Sequence, residues 1–182
     1  MGHSHGMEAR LSRGHLVPGA NRNAGQLVID MKSFDADTPL ARQVVGIKGE
    51  SANWMRKQVS KEMHGSKVLN SSTFPIATFD IASCTSVGVS REAGLPSYEL
   101  AGNLTLCGQT KTITIPVTVE QSNDWLHLTG RFSFKQSDFG IKPLSKGFGA
   151  IGVADELTVF GDLWIAPTAE SLASMRGLKQ RR

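Results

Sequence analysis

The feature that most constrains this chain is an alternation of apolar and polar residues that recurs in separate segments. In the clearest of them, residues 112–119, isoleucine and valine alternate with threonine and proline. A similar alternation runs through residues 27–31, 100–106, 126–134 and 157–165. A period of two puts every apolar side chain on one face of a β-strand. Repeated this often, the pattern predicts an antiparallel sheet that is closed or folded onto itself.

Short turn signals separate these segments. Gly108-Gln109-Thr110 and Ser122-Asn123-Asp124 each join two neighbouring strands, and residues 88–96 form a longer loop. Connections this short make neighbours in sequence neighbours in space, which predicts an up-and-down meander within one domain. The fold class is therefore all-β, an antiparallel up-and-down β-barrel. Its strands are expected near Ala9, Leu27, Ile76, Tyr98, Thr112, Trp125 and Leu157.

Residues 38–65 interrupt the strand pattern. Met55, Val59 and Met63 recur there at helical spacing, which predicts an amphipathic helix with a narrow apolar stripe. Ser51 or Asn53 is the expected N-cap of this helix, and residues 40–47 are a candidate for a second short helix. Because the stripe is narrow, we expect this insertion to cover the barrel locally, at one mouth.

Composition is that of an ordinary globular chain, with 40% hydrophobic and 20% charged residues among 182. No run approaches the roughly 18 apolar residues of a transmembrane helix. The excess of basic residues lies in residues 176–182; a short basic end is typical of a solvated tail, and we expect no nucleic-acid partner. We divide the chain into an expression leader (1–6), a barrel domain (7–166) and a basic tail (167–182).

The first residues leave the compartment open. Residues 1–13 contain no apolar core of a signal peptide. A true start at Met7 predicts a cytoplasmic protein, whereas a removed signal peptide predicts a periplasmic one.

The sequence contains no recognisable motif for catalysis or metal binding. His15, His64 and His127 are far apart and match no metal-ligand spacing. There is no G-x-S-x-G elbow, and the glycine-rich residues 146–152 lie between two strands without the following helix that a phosphate site requires. We therefore expect no catalytic residue, no metal and no cofactor.

The carboxylates and thiols also favour structural roles. Asp138, Asp155 and Glu156 flank turns, where a carboxylate usually caps backbone amides. Cys84 and Cys107 lack metal-ligand spacing, and the expected strand register separates them, so we predict no disulfide.

The apolar interior is the remaining candidate for a functional site, since an eight-stranded barrel is either filled by side chains or holds one small ligand. Gly102, Gly130 and Gly161 fall on the apolar faces, where they either leave room or sharpen barrel corners. The expected wall is Leu27, Ile29, Leu104, Leu106, Ile115, Val117, Leu128, Phe132, Phe134 and Leu163, and the expected rim is Phe79, Phe139 and Phe148.

Four motifs resemble the YceI family. Residues 74–79 (FPIATF) are similar to its aromatic-Pro-x-x-x-Phe strand entry, and residues 102–111 (GNLTLCGQTK) to its G-x-L-T hairpin. Residues 132–141 (FSFKQSDFGI) resemble its S-D-F-G-I run, and residues 153–159 (VADELTV) its closing strand. The resemblance implies a lipocalin-like barrel that binds polyisoprenoids or related long-chain amphiphiles, without a catalytic step, and frequent dimers.

The chain departs from the family pattern at three places. Cys107 stands where the family usually has histidine, and the helical segment 38–65 is longer than usual. Nothing before Arg10 resembles the family's opening strand, which implies a barrel one N-terminal strand short. A missing strand exposes a sheet edge, to be closed by a second protomer, by the tail or by an upstream strand.

The expected function is binding, sequestration or transport of a polyisoprenoid or a fatty-acid-like ligand in the barrel interior. One alternative is a hydrolase or isomerase that acts on a lipid-like substrate in the same cavity, with Asp138, Glu156 or His64 at the mouth. The other is a stress-response module with a solid core.

Overall fold

The main sheet of this computed structural model has seven antiparallel strands in the order β1-β2-β3-β4-β5-β6-β9, curled into a nearly closed barrel. The structure describes residues 5–143, 145–146 and 151–168. The strands are β1 (Met7–Leu16), β2 (Gly25–Ala36), β3 (Ile76–Val89), β4 (Pro96–Leu106), β5 (Gln109–Ser122), β6 (Trp125–Lys135) and β9 (Glu156–Ile165). Every predicted strand position lies in one of them, which confirms the all-β meander.

Two further strands form a separate hairpin between β6 and β9. These are β7 (Ser145–Lys146) and β8 (Ile151–Gly152), which pair antiparallel. This pairing fits the expectation of a hairpin around the glycine-rich segment, although residues 147–150 lie outside the described residues.

Helices occupy the predicted interruption as α1 (Pro39–Val44) and α2 (Asn53–His64), and a 3-10 helix (Gln136–Phe139) follows β6. On α2, Met63 is buried in the main core, so this helix covers one end of the barrel as expected. The predicted N-cap is wrong: Ala52 caps α2 without a side-chain bond. The Ser51 hydroxyl instead donates a hydrogen bond to Asp37 Oδ2 over 2.8 Å.

The turn between β4 and β5 illustrates how local sequence sets the register. Cys107 and Gly108 have φ angles of 50° and 75°, so both central residues of this two-residue turn are left-handed. Leu106 then pairs with Gln109, and the hairpin continues to Ser97 opposite Thr118.

Barrel closure is incomplete at the two ends of the strand order. Among the described residues, β1 pairs only with β2 and β9 only with β6, so each leaves one backbone edge unpaired. No helix in the described part of the chain is long and apolar enough to cross a membrane.

Candidate functional site

The barrel interior consists of two unlike halves. We call the first the packed half. It consists of the buried inward residues of β2 to β5, of Met63 on α2, and of buried residues in the segments that precede β2 and β3 or follow β6. They form one contiguous cluster in which every member is at most 8% exposed. Its members are Ala24, Met31, Met63, Leu69, Ala77, Phe79, Ile81, Cys84, Leu100, Leu104, Leu106, Val117, Phe139 and Ile141.

The second, which we call the open half, is the inward row of β6 and β9. Along β9 every outward residue is exposed and every inward residue is only half-buried. Inward apolar side chains that stay partly accessible border space that the described residues do not fill. The half-buried members are Leu126, Gly130, Phe132, Phe134, Leu157, Val159, Gly161, Leu163 and Ile165, while Leu128 among them is buried.

The open half exists because β5 and β6 separate along their length. Their pairing runs from Ser122 opposite Trp125 to Val117 opposite Gly130 and does not continue beyond that pair. Pro116, which has no amide hydrogen to donate to a ladder, stands at the point where pairing stops. Beyond it, β6 is held only by β9, so the two sides of the barrel diverge.

The three inward glycines differ in how much space surrounds them. A Cβ atom at Gly102 would lie 2.2 Å from the Asp80 carbonyl oxygen, and one at Gly130 would lie 2.9 Å from the Pro116 carbonyl oxygen. At Gly161 the nearest atom would be the carbonyl oxygen of Gly130, at 3.9 Å. Gly102 and Gly130 therefore permit close backbone contact at barrel corners, whereas Gly161 borders free space.

A row of phenylalanines connects the two halves. The rings of Phe132 and Phe134 lie 6.2 Å apart, and Phe134 meets Phe139 edge to face at 5.2 Å. Phe139 is folded into the core by the 3-10 helix, which ends at Gly140 with a left-handed φ of 72°. Edge-to-face pairs of aromatic rings stabilise a fold by more than the burial of their apolar area alone.

The thirteen residues expected to line the interior divide between these environments. Phe79, Leu104, Leu106, Val117, Leu128 and Phe139 are buried, and Leu27, Ile29, Ile115, Phe132, Phe134 and Leu163 are half-buried. Phe79 and Phe139, expected at the rim, are 2% and 1% exposed: β3 is paired on both sides around Phe79, and the 3-10 helix turns Phe139 inward. Phe148 lies outside the described residues.

A pocket of about 200 Å³ lies beside Cys107, at the end of the barrel that α2 covers. The Cys107 thiol donates to the carbonyl oxygen of Leu69 over 3.3 Å, and burial raises its pKa. The pocket is lined by Ser66, Lys67, Val68, Asn70, Phe74, Cys107, Gln109, Phe139, Gly140 and Ile141. Both cysteines are free thiols.

Both ring nitrogens of His64 lie within hydrogen-bond distance of a protein oxygen. Its Nε2 lies 2.9 Å from the Phe34 carbonyl oxygen, which can only accept, so Nε2 is the protonated nitrogen. Nδ1 lies 2.9 Å from the Ser71 hydroxyl, and the ring thus ties the end of β2 to the segment before β3. A shallow pocket of about 350 Å³ lies beside it.

The carboxylates proposed for the mouth are solvent-exposed. Asp138 and Glu156 are both exposed, and in the described part of the chain the hydrogen-bond partners of His64 are Ser71 and Phe34 rather than either carboxylate. Asp155 accepts hydrogen bonds from the amide and hydroxyl of Ser137 over 2.9 and 2.6 Å. The hydroxyl contact, followed by the amide contact, lowers the pKa of Asp155, which confirms a capping role for that residue. No group of three metal-ligating side chains occurs among the residues described.

A side-chain ladder on the outer face of β6 and β9 was not anticipated. His127 stacks on Trp164 at 4.3 Å and lies 2.9 Å from Asp162 Oδ1, and the Arg131 guanidinium sits 5.1 Å over the Phe160 ring. Paired aromatic and cationic residues on two facing strands are the signal that could have predicted it. The ladder supports β9 where its inner face gains little from burial.

A second unanticipated feature is the buried carboxylate of Asp37. It accepts hydrogen bonds from His5, the Gly6 amide and Ser51 over 2.7, 3.0 and 2.8 Å, with Arg42 at 3.6 Å. Burial alone would raise the pKa of Asp37, but these hydrogen bonds outweigh burial and lower it. His5 and Gly6 belong to the segment assigned to an expression leader, an assignment that stays a prediction.

Comparison with known proteins finds a related sequence and solved structures with a similar fold. A UPF0312 protein of Azotobacter vinelandii is 32% identical over 117 residues, which cover 60% of this chain and 58% of that protein. The structure of BcnA from Burkholderia cenocepacia matches with a TM-score of 0.57 at 24% identity, covering 88% of this chain and 84% of that one.

Another solved structure, a polyisoprenoid-binding domain from Saccharophagus degradans implicated in plant cell wall breakdown, matches with a TM-score of 0.54 at 14% identity. The match covers 90% of this chain and 92% of that domain. At these identities the solved structures support the barrel fold.

The sequence model of one family, the YceI-like domain, matches residues 4–163, which span the whole seven-stranded sheet except the last two residues of β9. The four motifs noted in the sequence all lie inside that match. The chain therefore belongs to the YceI-like domain family.

Proposed function

We propose that this protein binds a long-chain apolar amphiphile, such as a polyisoprenoid, in the open half of its barrel. The observation that carries the proposal is the inward row of β9, where apolar side chains remain half-buried on both sides of Gly161. The polyisoprenoid-binding domain with the same fold supports this class of ligand. Sequestration or transport would follow from such binding.

Burial of hydrocarbon supplies the affinity in this proposal. Removing about 300 Å² of apolar surface from water stabilises a complex by roughly 7 kcal/mol, before the cost of association. The pocket beside Cys107, about 200 Å³, is smaller than a typical pocket for a whole ligand of roughly 300–1,000 Å³. It suits the end of a chain or a small headgroup, with the rest of the chain along the row of phenylalanines.

We propose binding without a catalytic step. His64 uses both ring nitrogens in structural contacts, and Asp138 and Glu156 are exposed. A hydrolase needs a nucleophile and a base within reach of one another and of the substrate. Ser71 lies 2.9 Å from His64 Nδ1 but is only 6% exposed, so its hydroxyl presents little surface to a substrate. The half-buried row of β9 in turn favours a ligand over a solid-cored structural module.

A matched pair of variants tests the proposal. Gly161→Leu places a large side chain in the free space of the open half, and Thr158→Leu places the same side chain on the outer row of β9. Native mass spectrometry of the purified wild-type protein should reveal an adduct of several hundred daltons. We expect the adduct to disappear in Gly161→Leu and to persist in Thr158→Leu.

Other outcomes separate the alternatives. A wild-type protein that carries no adduct and binds no added long-chain isoprenoid contradicts the proposal and favours the solid-cored module. Release of a chemically altered ligand favours the hydrolase or isomerase, and His64→Ala should then abolish turnover.

We also propose that a homodimer closes the barrel. The outer edges of β1 and β9 have no strand partner among the described residues, and unpaired edges favour association with another chain. Light scattering across a concentration series tests this, and a monomer at every concentration contradicts it.

A further inference from the structure

The surface around α1 and the start of α2 exposes large apolar side chains. Leu40 is 57% exposed, Val44 49% and Trp54 70%, the highest value among the large hydrophobic residues that the structure describes. Leu40 and Val44 are one helical turn apart and so share a face of α1. We call this surface, with the exposed lysines described below, the helical face. Side chains of this size that are about half exposed or more leave apolar area available for burial against a partner.

The helical face is preformed rather than loosely tethered. The Arg42 guanidinium donates to the carbonyl oxygens of Lys48 and Gly49 over 2.7 and 2.9 Å and to the Ser51 hydroxyl over 3.0 Å. Ser51 in turn donates to the buried Asp37. These bonds fold the connection between the helices back on α1. Trp54 follows Ser51 by three residues, so their Cα atoms are at most about 11 Å apart.

Exposed lysines flank these apolar residues. Lys48, Lys57 and Lys61 are exposed, and Lys57 and Lys61 follow Trp54 on α2 at spacings of three and seven residues, along one side of the helix. Acidic residues are also present: Glu50 and Glu62 in the sequence of this segment, and Glu8, which accepts a hydrogen bond from the Thr38 hydroxyl at the start of α1.

The two arginines of this region do not add to the available charge. Arg56 Nη2 lies 3.0 Å from Asp35 Oδ2, and Arg42 lies beside Asp37. Lys48, Lys57 and Lys61 are therefore the cations that the helical face presents to solvent.

We propose that the helical face docks on the surface of an anionic lipid bilayer. Tryptophan, leucine and valine suit the headgroup boundary, and lysines on the flank attract anionic headgroups while their stems remain among the apolar groups. A second copy of this chain fits less well, because a symmetric dimer would bring Lys57 and Lys61 against the same lysines of the partner. The inference extends the proposed function, since cargo of low water solubility is present in membranes.

Tryptophan fluorescence with lipid vesicles tests the docking. The full chain with Trp125→Phe and Trp164→Phe retains Trp54 as its only tryptophan. With vesicles of equal parts phosphatidylglycerol and phosphatidylcholine, we expect a blue shift of its emission and quenching by brominated acyl chains. Phosphatidylcholine vesicles alone should bind about tenfold or more weakly, since each surface lysine contributes to attraction by anionic lipid.

Variants of the otherwise unchanged protein identify the surface by co-sedimentation. Trp54→Ser and the pair Lys57→Gln with Lys61→Gln should each lower vesicle partitioning about tenfold. Val89→Ser is the matched control, because Val89 is 65% exposed at the far end of β3; it should leave partitioning unchanged. Gly161→Leu should also bind vesicles normally, so that failure of docking and failure of cargo binding give different results.

Three results would overturn the inference. The first is that the wild-type protein does not bind anionic vesicles. The second is that Trp54→Ser binds them as well as the wild type does. The third is self-association in the absence of lipid that Trp54→Ser abolishes, which would assign the helical face to a second copy of the chain.

Discussion

The packed half and the open half of this barrel have similar residue types but different surroundings. Both are rows of leucine, isoleucine, valine and phenylalanine on strands that alternate with period two. In the packed half Phe79 and Ile81 are each 2% exposed, because their strand is paired on both sides and α2 covers the end. In the open half Val159 and Leu163 stay half-buried, because β9 has a partner on one side only.

This difference indicates that the packed half mainly stabilises the fold and that the open half is the part suited to the proposed binding. Close-packed side chains stabilise a fold through burial and dispersion, and they leave no room for a ligand. Half-buried apolar side chains contribute less to stability and retain surface that a ligand can cover. The outer ladder of His127, Trp164, Arg131 and Phe160 supports β9 in place of a filled interior.

The largest expected effect is on the free energy of unfolding, when one large side chain in each half is replaced by alanine. Phe79→Ala should lower the free energy of unfolding by about 3–5 kcal/mol, because it leaves a cavity in a close-packed core. Leu163→Ala should lower it by only about 1 kcal/mol, since a half-buried side chain loses less. Urea unfolding measures both. Equal losses would mean that the two halves are equally well packed.

The next effect contrasts two inward glycines. Gly102→Ala forces a Cβ atom against the Asp80 carbonyl oxygen and should destabilise the protein by about 2–3 kcal/mol. Gly161→Ala meets nothing closer than 3.9 Å and should be neutral or stabilising by up to about 0.5 kcal/mol, since alanine reduces the freedom of the unfolded chain. Thermal unfolding of the two variants gives the comparison. A large loss at Gly161 would contradict free space in the open half.

A third contrast concerns the carboxylates of Asp37, near the packed half, and Asp155, at the start of β9. Asp37→Asn removes the negative charge and replaces one of the two acceptor oxygens, which serve His5 and Ser51 on one side and the Gly6 amide on the other, with an NH2 donor. It should cost about 2 kcal/mol. Because the pKa of Asp37 is lowered in the folded protein, its contribution is complete above the pKa of the unfolded chain. It is lost as the pH falls through the folded pKa.

Unfolding measured against pH tests this sign. The wild-type protein should lose stability steeply in acid, and Asp37→Asn should flatten that acid limb. Asp155→Asn, at an exposed cap, should change the limb much less. If Asp155→Asn flattened the acid limb more than Asp37→Asn does, the assignment of the larger contribution to Asp37 would be wrong.

The smallest effect concerns the outer ladder. A double-mutant cycle with Arg131→Ala and Phe160→Ala should yield a coupling of about 0.5 kcal/mol, typical of an exposed cation–π contact. Urea unfolding of the four proteins provides it. A coupling of zero would remove this contact from the forces that hold β9.

The strands and the helix of this protein follow closely from its sequence. The alternation around Ile113 and Ile115 is strict, and the spacing of Met55, Val59 and Met63 is helical, so local periodicity identifies β5 and α2. The cap at Ser51 was wrong for a tertiary reason: Asp37, distant in sequence, binds the Ser51 hydroxyl. Burial on β2 is not confined to the inward face. Val28, on the opposite face from Leu27 and Ile29, is 1% exposed although it lies outside the main core.

The candidate site was predicted less completely. Alternation correctly placed Leu163 and Phe132 on the inward face, but it could not distinguish Gly161 from Gly102 and Gly130. The role of each glycine depends on the distance to the neighbouring backbone, and that distance arises from strand separation. Phe79 and Phe139 were placed at the rim because no local signal reports how deeply a strand centre or a 3-10 turn is covered.

By itself, the sequence determined which side chains share a face, since backbone geometry repeats every two residues in a strand and every 3.6 residues in a helix. Only the tertiary structure decided which of those faces meet. β5 and β6 separate at Pro116, and among the described strands β9 pairs with β6 alone. Two similar apolar rows are therefore buried to different degrees. Burial depends on what lies opposite a residue, and in this barrel the opposite wall comes from distant parts of the chain.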